Sequence, residues 1–149
     1  MKIIIILSIL SMLFAFSIPK PYQRYIDTHL HKAKMSQHST GVPVSIQFAQ
    51  AIIESGAGRS PLAKNTNNHF GISCGDNWHG QKYHSNRCWR KYKTVGESWE
   101  DHACYLQHYY PELCFKSWDK WDRLENYCCA GYWNKIKRII ERYKLYKYD

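Results

Sequence analysis

The stretch Val42-Pro43-Val44-Ser45-Ile46-Gln47-Phe48-Ala49-Gln50-Ala51-Ile52-Ile53-Glu54-Ser55-Gly56 decides how the rest of this 149-residue chain is read. Pro43 suits the first turn of a helix, where its missing N–H has no partner to lose. Val44, Ile46, Phe48, Ala49, Ala51, Ile52 and Ile53 then leave hardly any side of that helix polar, which predicts a central, buried element rather than a surface one. Gly56 can take the left-handed conformation that ends a helix. Glu54 therefore falls in the last turn, partly out of water and at the negative end of the helix dipole, and both effects raise a carboxyl pKa.

Working outward, Tyr22, Ile26, Leu30 and Ala33 recur at helical spacing and predict a first helix over residues 22–35, running into a Ser/Thr/Gly turn. Ser60-Pro61 reads as an N-cap and helix-starting proline for a short helix over residues 61–64, with a turn over 65–68. From residue 70 to 92, Gly71, Gly75, Asn77, Gly80 and Asn86 interrupt aromatic and β-branched residues, as in a small two-stranded lobe. Thr94-Val95-Gly96-Glu97 is a capping box, and Trp99, Ala103, Leu106 and Tyr110 continue at helical spacing up to Pro111. Two more helices are expected over residues 117–129 and 133–143, separated at Gly131. The fold class is mainly α (α+β), one helical domain with a β-hairpin lobe. No repeat or linker divides it, and the length suits one domain.

Met1-Lys2 followed by the apolar run Ile3 to Phe16 reads as a signal peptide over residues 1–17, leaving a domain over 18–149. The alternative is an uncleaved anchor, although a spanning helix needs about 20 apolar residues. Six cysteines in an exported chain argue for at least one disulfide, and Cys74 with Cys88, flanking a short polar stretch, is the preferred pair among many. Cys128 and Cys129 are adjacent, and a bridge between them would be strained. No C-x-x-C repeat is present and His29-x-His31 is too common a spacing to count, so no metal site and no cofactor are expected. The net charge of +9, from 21 basic and 12 acidic residues, points to an anionic partner, and export disfavours nucleic acid. Nothing in the chain reads as an oligomerisation seam, so a monomer without stable membrane insertion after signal cleavage is expected.

By position alone Glu54 also fits an ordinary solvated glutamate at a helix end. A resemblance assigns it. The motif Val42 to Gly58, then Ser60-Pro61-Leu62-Ala63 and Asn67-Asn68-His69-Phe70-Gly71-Ile72, resembles the bacterial peptidoglycan N-acetylglucosaminidases of glycoside hydrolase family 73, which include the flagellar cell-wall hydrolase domain. It continues through Trp78-x-Gly80, Cys88-Trp89-Arg90-Lys91-Tyr92, Glu97-Ser98, Asp101-His102, Ala130-Gly131-Tyr132 and Ile139-Ile140-Glu141-Arg142-Tyr143. The resemblance implies a lysozyme-like fold, Glu54 as the catalytic acid and Tyr132 beside the scissile bond. Asn67, Asn68 and Phe70 would shape the cleft floor, and Gln50 would contact substrate. Among six tryptophans and twelve tyrosines, Trp78 is the candidate sugar platform, core packing being its other reading, while Trp99, Trp118 and Trp121 read as structural.

The departures from the family bear on mechanism. Many members carry a second acidic residue in the lobe, yet here Tyr83-His84 runs into Ser85-Asn86-Arg87 and residues 77–93 contain no Asp or Glu. Asp76 is the one acid left in the lobe, with a turn-forming role as its other reading. Glu97 is explained by the capping box and Asp101 by a helix surface. One essential carboxyl fits substrate assistance by the neighbouring 2-acetamido oxygen, with Asp76-guided inversion as the alternative. The segments 110–115 and 132–135 look shortened. The resulting reading is an endo-β-N-acetylglucosaminidase acting on the glycan strands of peptidoglycan. A lytic transglycosylase, a non-catalytic glycan-binding relic and an effector against a competitor's wall remain beside it.

Overall fold

The computed structural model describes residues 17–149; the signal-peptide expectation falls on residues that lie, but for Ser17, outside that range. Helix α1 (Lys20–Thr40) carries Tyr25, Ile26 and Ala33 inward and ends at Gly41, whose φ of 74° only glycine adopts without strain. It runs past the stop expected near Met35. The Ser39 and Thr40 hydroxyls are satisfied inside the helix: Thr40 Oγ1 donates to the Ser36 carbonyl at 2.7 Å and Ser39 Oγ to that of Met35 at 3.2 Å. Residues that read as a turn thus continue the helix by back-bonding to the previous turn.

Helix α2 (Val44–Ser55) is the predicted central element, with every residue from Val44 to Ile52 buried. Pro43 precedes it, and Gly56, at φ 58°, closes it by donating back to Ile52. Its first turn is capped from the far end of the chain: the Asp149 carboxylate accepts from the Ser45 N–H and from Ser45 Oγ, both at 2.7 Å. Helix α3 (Pro61–Thr66) starts on Ser60, whose side chain accepts from the Ala63 N–H.

The lobe is an antiparallel hairpin of β1 (Gln81–His84) and β2 (Cys88–Lys91), with Tyr83 opposite Trp89. A disulfide joins Cys74 to Cys88, so the segment before the hairpin lies along β2, where Cys74 also donates to the Cys88 carbonyl at 3.1 Å. Helix α4 (Val95–Tyr109) begins at Thr94, which accepts from the Glu97 N–H, while the Glu97 carboxylate accepts from Lys93 N–H, one residue earlier than in the usual capping box.

The expected helix over 117–129 is replaced by two short 3₁₀ segments, Trp118–Lys120 and Asp122–Tyr127. The reason is legible afterwards: Trp118, Trp121, Leu124 and Tyr127 recur every three residues, the period of a 3₁₀ turn, and Trp121 and Leu124 are fully buried. The Glu125 carboxylate accepts from the Gly131 and Trp133 N–H groups and starts helix α5 (Tyr132–Tyr143). α2 packs against α1, α5 and the closing turn Leu145–Tyr148, and α4 packs on α1. Trp99 stands at the junction, its ring 5.1 Å from those of Phe48 and Phe70. The architecture is the mainly helical body with hairpin lobe predicted from the sequence.

Candidate active site

A cavity of about 430 Å³ separates the lobe from the helical body. Glu54 enters it from the last turn of α2; Phe70, Gly71 and Ser73 form its floor; Asn86, Arg87 and Trp89 come from the hairpin, and Tyr127 and Cys128 from the opposite wall. Glu54 is the sole carboxyl among these lining residues.

The hydroxyl of Tyr132, the first residue of α5, donates to Glu54 Oε1 at 2.6 Å. Tyr127 stacks on that phenol with ring centroids 5.3 Å apart. Burial pushes the Glu54 pKa above its usual range, while the Tyr132 hydrogen bond and the Lys135 ammonium pull in the other direction. The Tyr132 phenol is pushed up, by burial first and by the Glu54 charge second, so it remains a proton donor at every physiological pH. Behind it, Gln50 Nε2 donates to the Tyr132 oxygen at 3.3 Å, and Gln50 Oε1 lies 3.1 Å from His102 Nε2. His102 in turn stacks flat on Phe70, centroids 3.7 Å apart.

The other sequence candidates are placed differently. Asn67 sits at the end of α3 and donates to the Tyr92 and Lys93 carbonyls at 3.0 and 3.1 Å. Asn68 is buried and exchanges bonds with the Ile72 backbone while donating to the Arg90 carbonyl at 2.9 Å. Both asparagines tie the lobe to the body. Trp78 does not line the cavity: Arg90 covers its ring at 4.8 Å and its Nε1 donates to the Gln81 carbonyl. Asp76 is exposed and also outside the lining. Asp101 is taken up by Arg90, at 2.7 and 3.0 Å, and by the Tyr92 hydroxyl at 2.6 Å. The lobe tryptophan that lines the cleft, beside Phe70 and Tyr127, is instead Trp89, whose ring carries the Arg87 guanidinium at 5.3 Å and whose Nε1 donates to Ser85 Oγ and Asn86 Oδ1. In the sequence Trp89 stands within Cys88-Trp89-Arg90-Lys91-Tyr92 with nothing to set it apart, and Tyr127 falls in a stretch whose spacing predicts a helix.

A helix-terminal carboxyl facing a cleft beneath a hairpin lobe is the arrangement of lysozyme-like domains. Residues 30–145 match the glucosaminidase family, described as mannosyl-glycoprotein endo-beta-N-acetylglucosaminidase, and the chain belongs to that family of glycoside hydrolases. It is 31% identical over 150 residues to the exo-glucosaminidase LytG of Bacillus subtilis (strain 168), covering 85% of this chain but 53% of LytG, so it spans about half of that relative. The catalytic domain of the autolysin Auto from Listeria monocytogenes superposes with a TM-score of 0.71 at 26% identity, over 93% of each chain. The glycoside hydrolase domain of Salmonella typhimurium FlgJ follows at 0.68 and 22%, over 83% of this chain and 88% of that one, a likeness of fold alone. No described helix is long and apolar enough to cross a membrane.

Proposed function

We propose that the protein is an exported peptidoglycan hydrolase, an endo-β-N-acetylglucosaminidase that cuts β-1,4 bonds of the glycan strand with Glu54 as general acid and then general base. The observation that carries the reading is the half-buried Glu54 carboxyl, raised in pKa and held by Tyr132, as the one acid lining the cleft. A carboxyl that keeps its proton toward neutral pH can give it to the departing sugar oxygen. With Asp76 outside the lining, the group best supplied to attack the anomeric carbon is the substrate's own 2-acetamido oxygen. That attack breaks the glycosidic bond as the Glu54 proton passes to the leaving oxygen. Water then opens the cyclic intermediate while Glu54 takes its proton back. Tyr132 donates to the carboxylate between the two steps. Trp89 offers an apolar face for a sugar ring, and the net charge of +9 suits an anionic wall polymer.

The test is digestion of purified peptidoglycan, with the fragments reduced by borohydride and weighed. Reducible N-acetylglucosamine ends are expected, and NMR of the nascent products, followed before reduction, should show net retention at the anomeric carbon. Products lighter by one water, carrying a 1,6-anhydro sugar, would replace the hydrolase with a transglycosylase. Single sugars released from chain ends would make the action exo, and absence of all fragments would leave a glycan-binding protein.

A further inference from the structure

The hydrogen bonds behind Glu54 cross three helices: His102 on α4, Gln50 on α2 and Tyr132 at the start of α5. Gln50 and His102 are fully inaccessible and Tyr132 is 1% exposed. Gln50, expected from the sequence to touch substrate, has both ends of its amide engaged inside the protein. We propose that Gln50 and His102 are positioning residues that fix the polarity of this chain, so that the Tyr132 hydroxyl always presents its proton to Glu54. The inference rests on the hydrolase reading above.

Two polarities are conceivable. In one, His102 Nε2–H donates to Gln50 Oε1, Gln50 Nε2–H donates to the Tyr132 oxygen, and Tyr132 O–H donates to Glu54. In the other, the amide is turned over, Tyr132 O–H donates to Gln50, the amide N–H donates to a bare His102 Nε2, and the ring proton sits on Nδ1. His102 Nδ1 is buried and faces no partner. The second polarity would leave an N–H there without an acceptor, whereas the first leaves only a lone pair, the less costly of the two. A doubly protonated ring is also disfavoured, because burial pushes the His102 pKa down to about 3. The choice is thus made at His102 and passed through Gln50. Its consequence is a donor already aimed where negative charge appears when Glu54 gives up its proton, needing no rearrangement during the reaction.

The variant H102F keeps a ring to stack on Phe70 and removes the donor. On solubilised glycan strands, kcat should fall about tenfold while KM stays within about twofold. The alkaline limb of the pH–rate profile should move to higher pH, because the ionised form of Glu54 loses a dependable donor. The other groups facing Glu54, namely Lys135, Tyr127, Cys128 and Arg87, are unchanged in the variant. In a Y132F background H102F should add no further loss, since both act through one hydroxyl. H102Q, which restores an N–H donor, should recover most of the rate. Should H102F not fold, Q50M removes the same link and carries the same expectations. An NMR titration of the Glu54 side-chain carboxyl reads the shift without turnover, so absence of wild-type activity would count against the hydrolase reading alone. An unmoved titration, or additive losses in the double variant, would overturn the positioning role.

Discussion

Replacing Tyr132 by Phe removes one hydroxyl and leaves the ring stack with Tyr127 in place. Its donation favours the ionised form of Glu54, so the variant should have its alkaline activity limb at higher pH and lose about 10- to 100-fold in kcat/KM. A pH–rate series on wild type and Y132F checks both. The buried helix and its closing glycine fix where Glu54 stands, but as site candidates Glu54 and Tyr132 were legible through the family resemblance. The partners between them were not. Gln50 and His102 meet through side-chain bonds across helices far apart in sequence, and no local pattern records that. Trp78 and Trp89 are both lobe tryptophans close to turn residues, and what separates them is packing: Trp78, ahead of the hairpin, lies under Arg90, while Trp89, on β2, lines the cleft.

Among the elements, α2 matters most because it delivers Glu54, and its first turn depends on the Asp149 carboxylate. Removing that cap in D149A should cost about 1 kcal/mol, read as a lower urea midpoint with an unchanged slope. The lobe depends on Cys74–Cys88, which closes a loop of sequence separation 14. The variant C74S/C88S should lose about 3 kcal/mol on the chain-entropy account, checked in the same unfolding assay beside wild type. Helices whose apolar residues recur at three and four, such as α1 and α4, were legible from the sequence. The 3₁₀ segments over 118–127 were not, because a strict spacing of three still looks helical until the absent fourth positions are weighed. The hairpin was legible from its turn residues, but the way Asn67 and Asn68 fasten it to the body was not, since their bonds go to backbone carbonyls well along the chain.

For the molecule as a whole, buried histidines set the response to acid. Burial, with the neighbouring His29 as a smaller cause, pushes His69 down to about 4, and burial pushes His102 down to about 3. Below 6.5 the unfolded chain binds protons at these positions that the native chain refuses. Their contribution is therefore complete above 6.5 and is lost as pH falls through the folded values of about 4 and 3. Glu54 has the opposite sign: its raised pKa contributes stability that is present at low pH and lost as the carboxyl ionises. Burial pushes His29 down as well and Asp149 up, so three histidines stand against two partly buried carboxyls, and urea midpoints should drop between pH 7 and pH 4. A fold of one body and one lobe was readable in outline because a single buried helix organises it. Where lobe and body meet was not, because the cleft is made by contacts between residues distant in sequence.

The most direct measurement is the initial rate of reducing-end release from purified peptidoglycan by wild type, E54Q and D76N under identical conditions. With Glu54 as the one essential carboxyl, E54Q should lose about 10³-fold while D76N stays within about twofold of wild type. Turnover by folded E54Q near the wild-type rate, or a loss in D76N as deep as that in E54Q, would contradict the assignment.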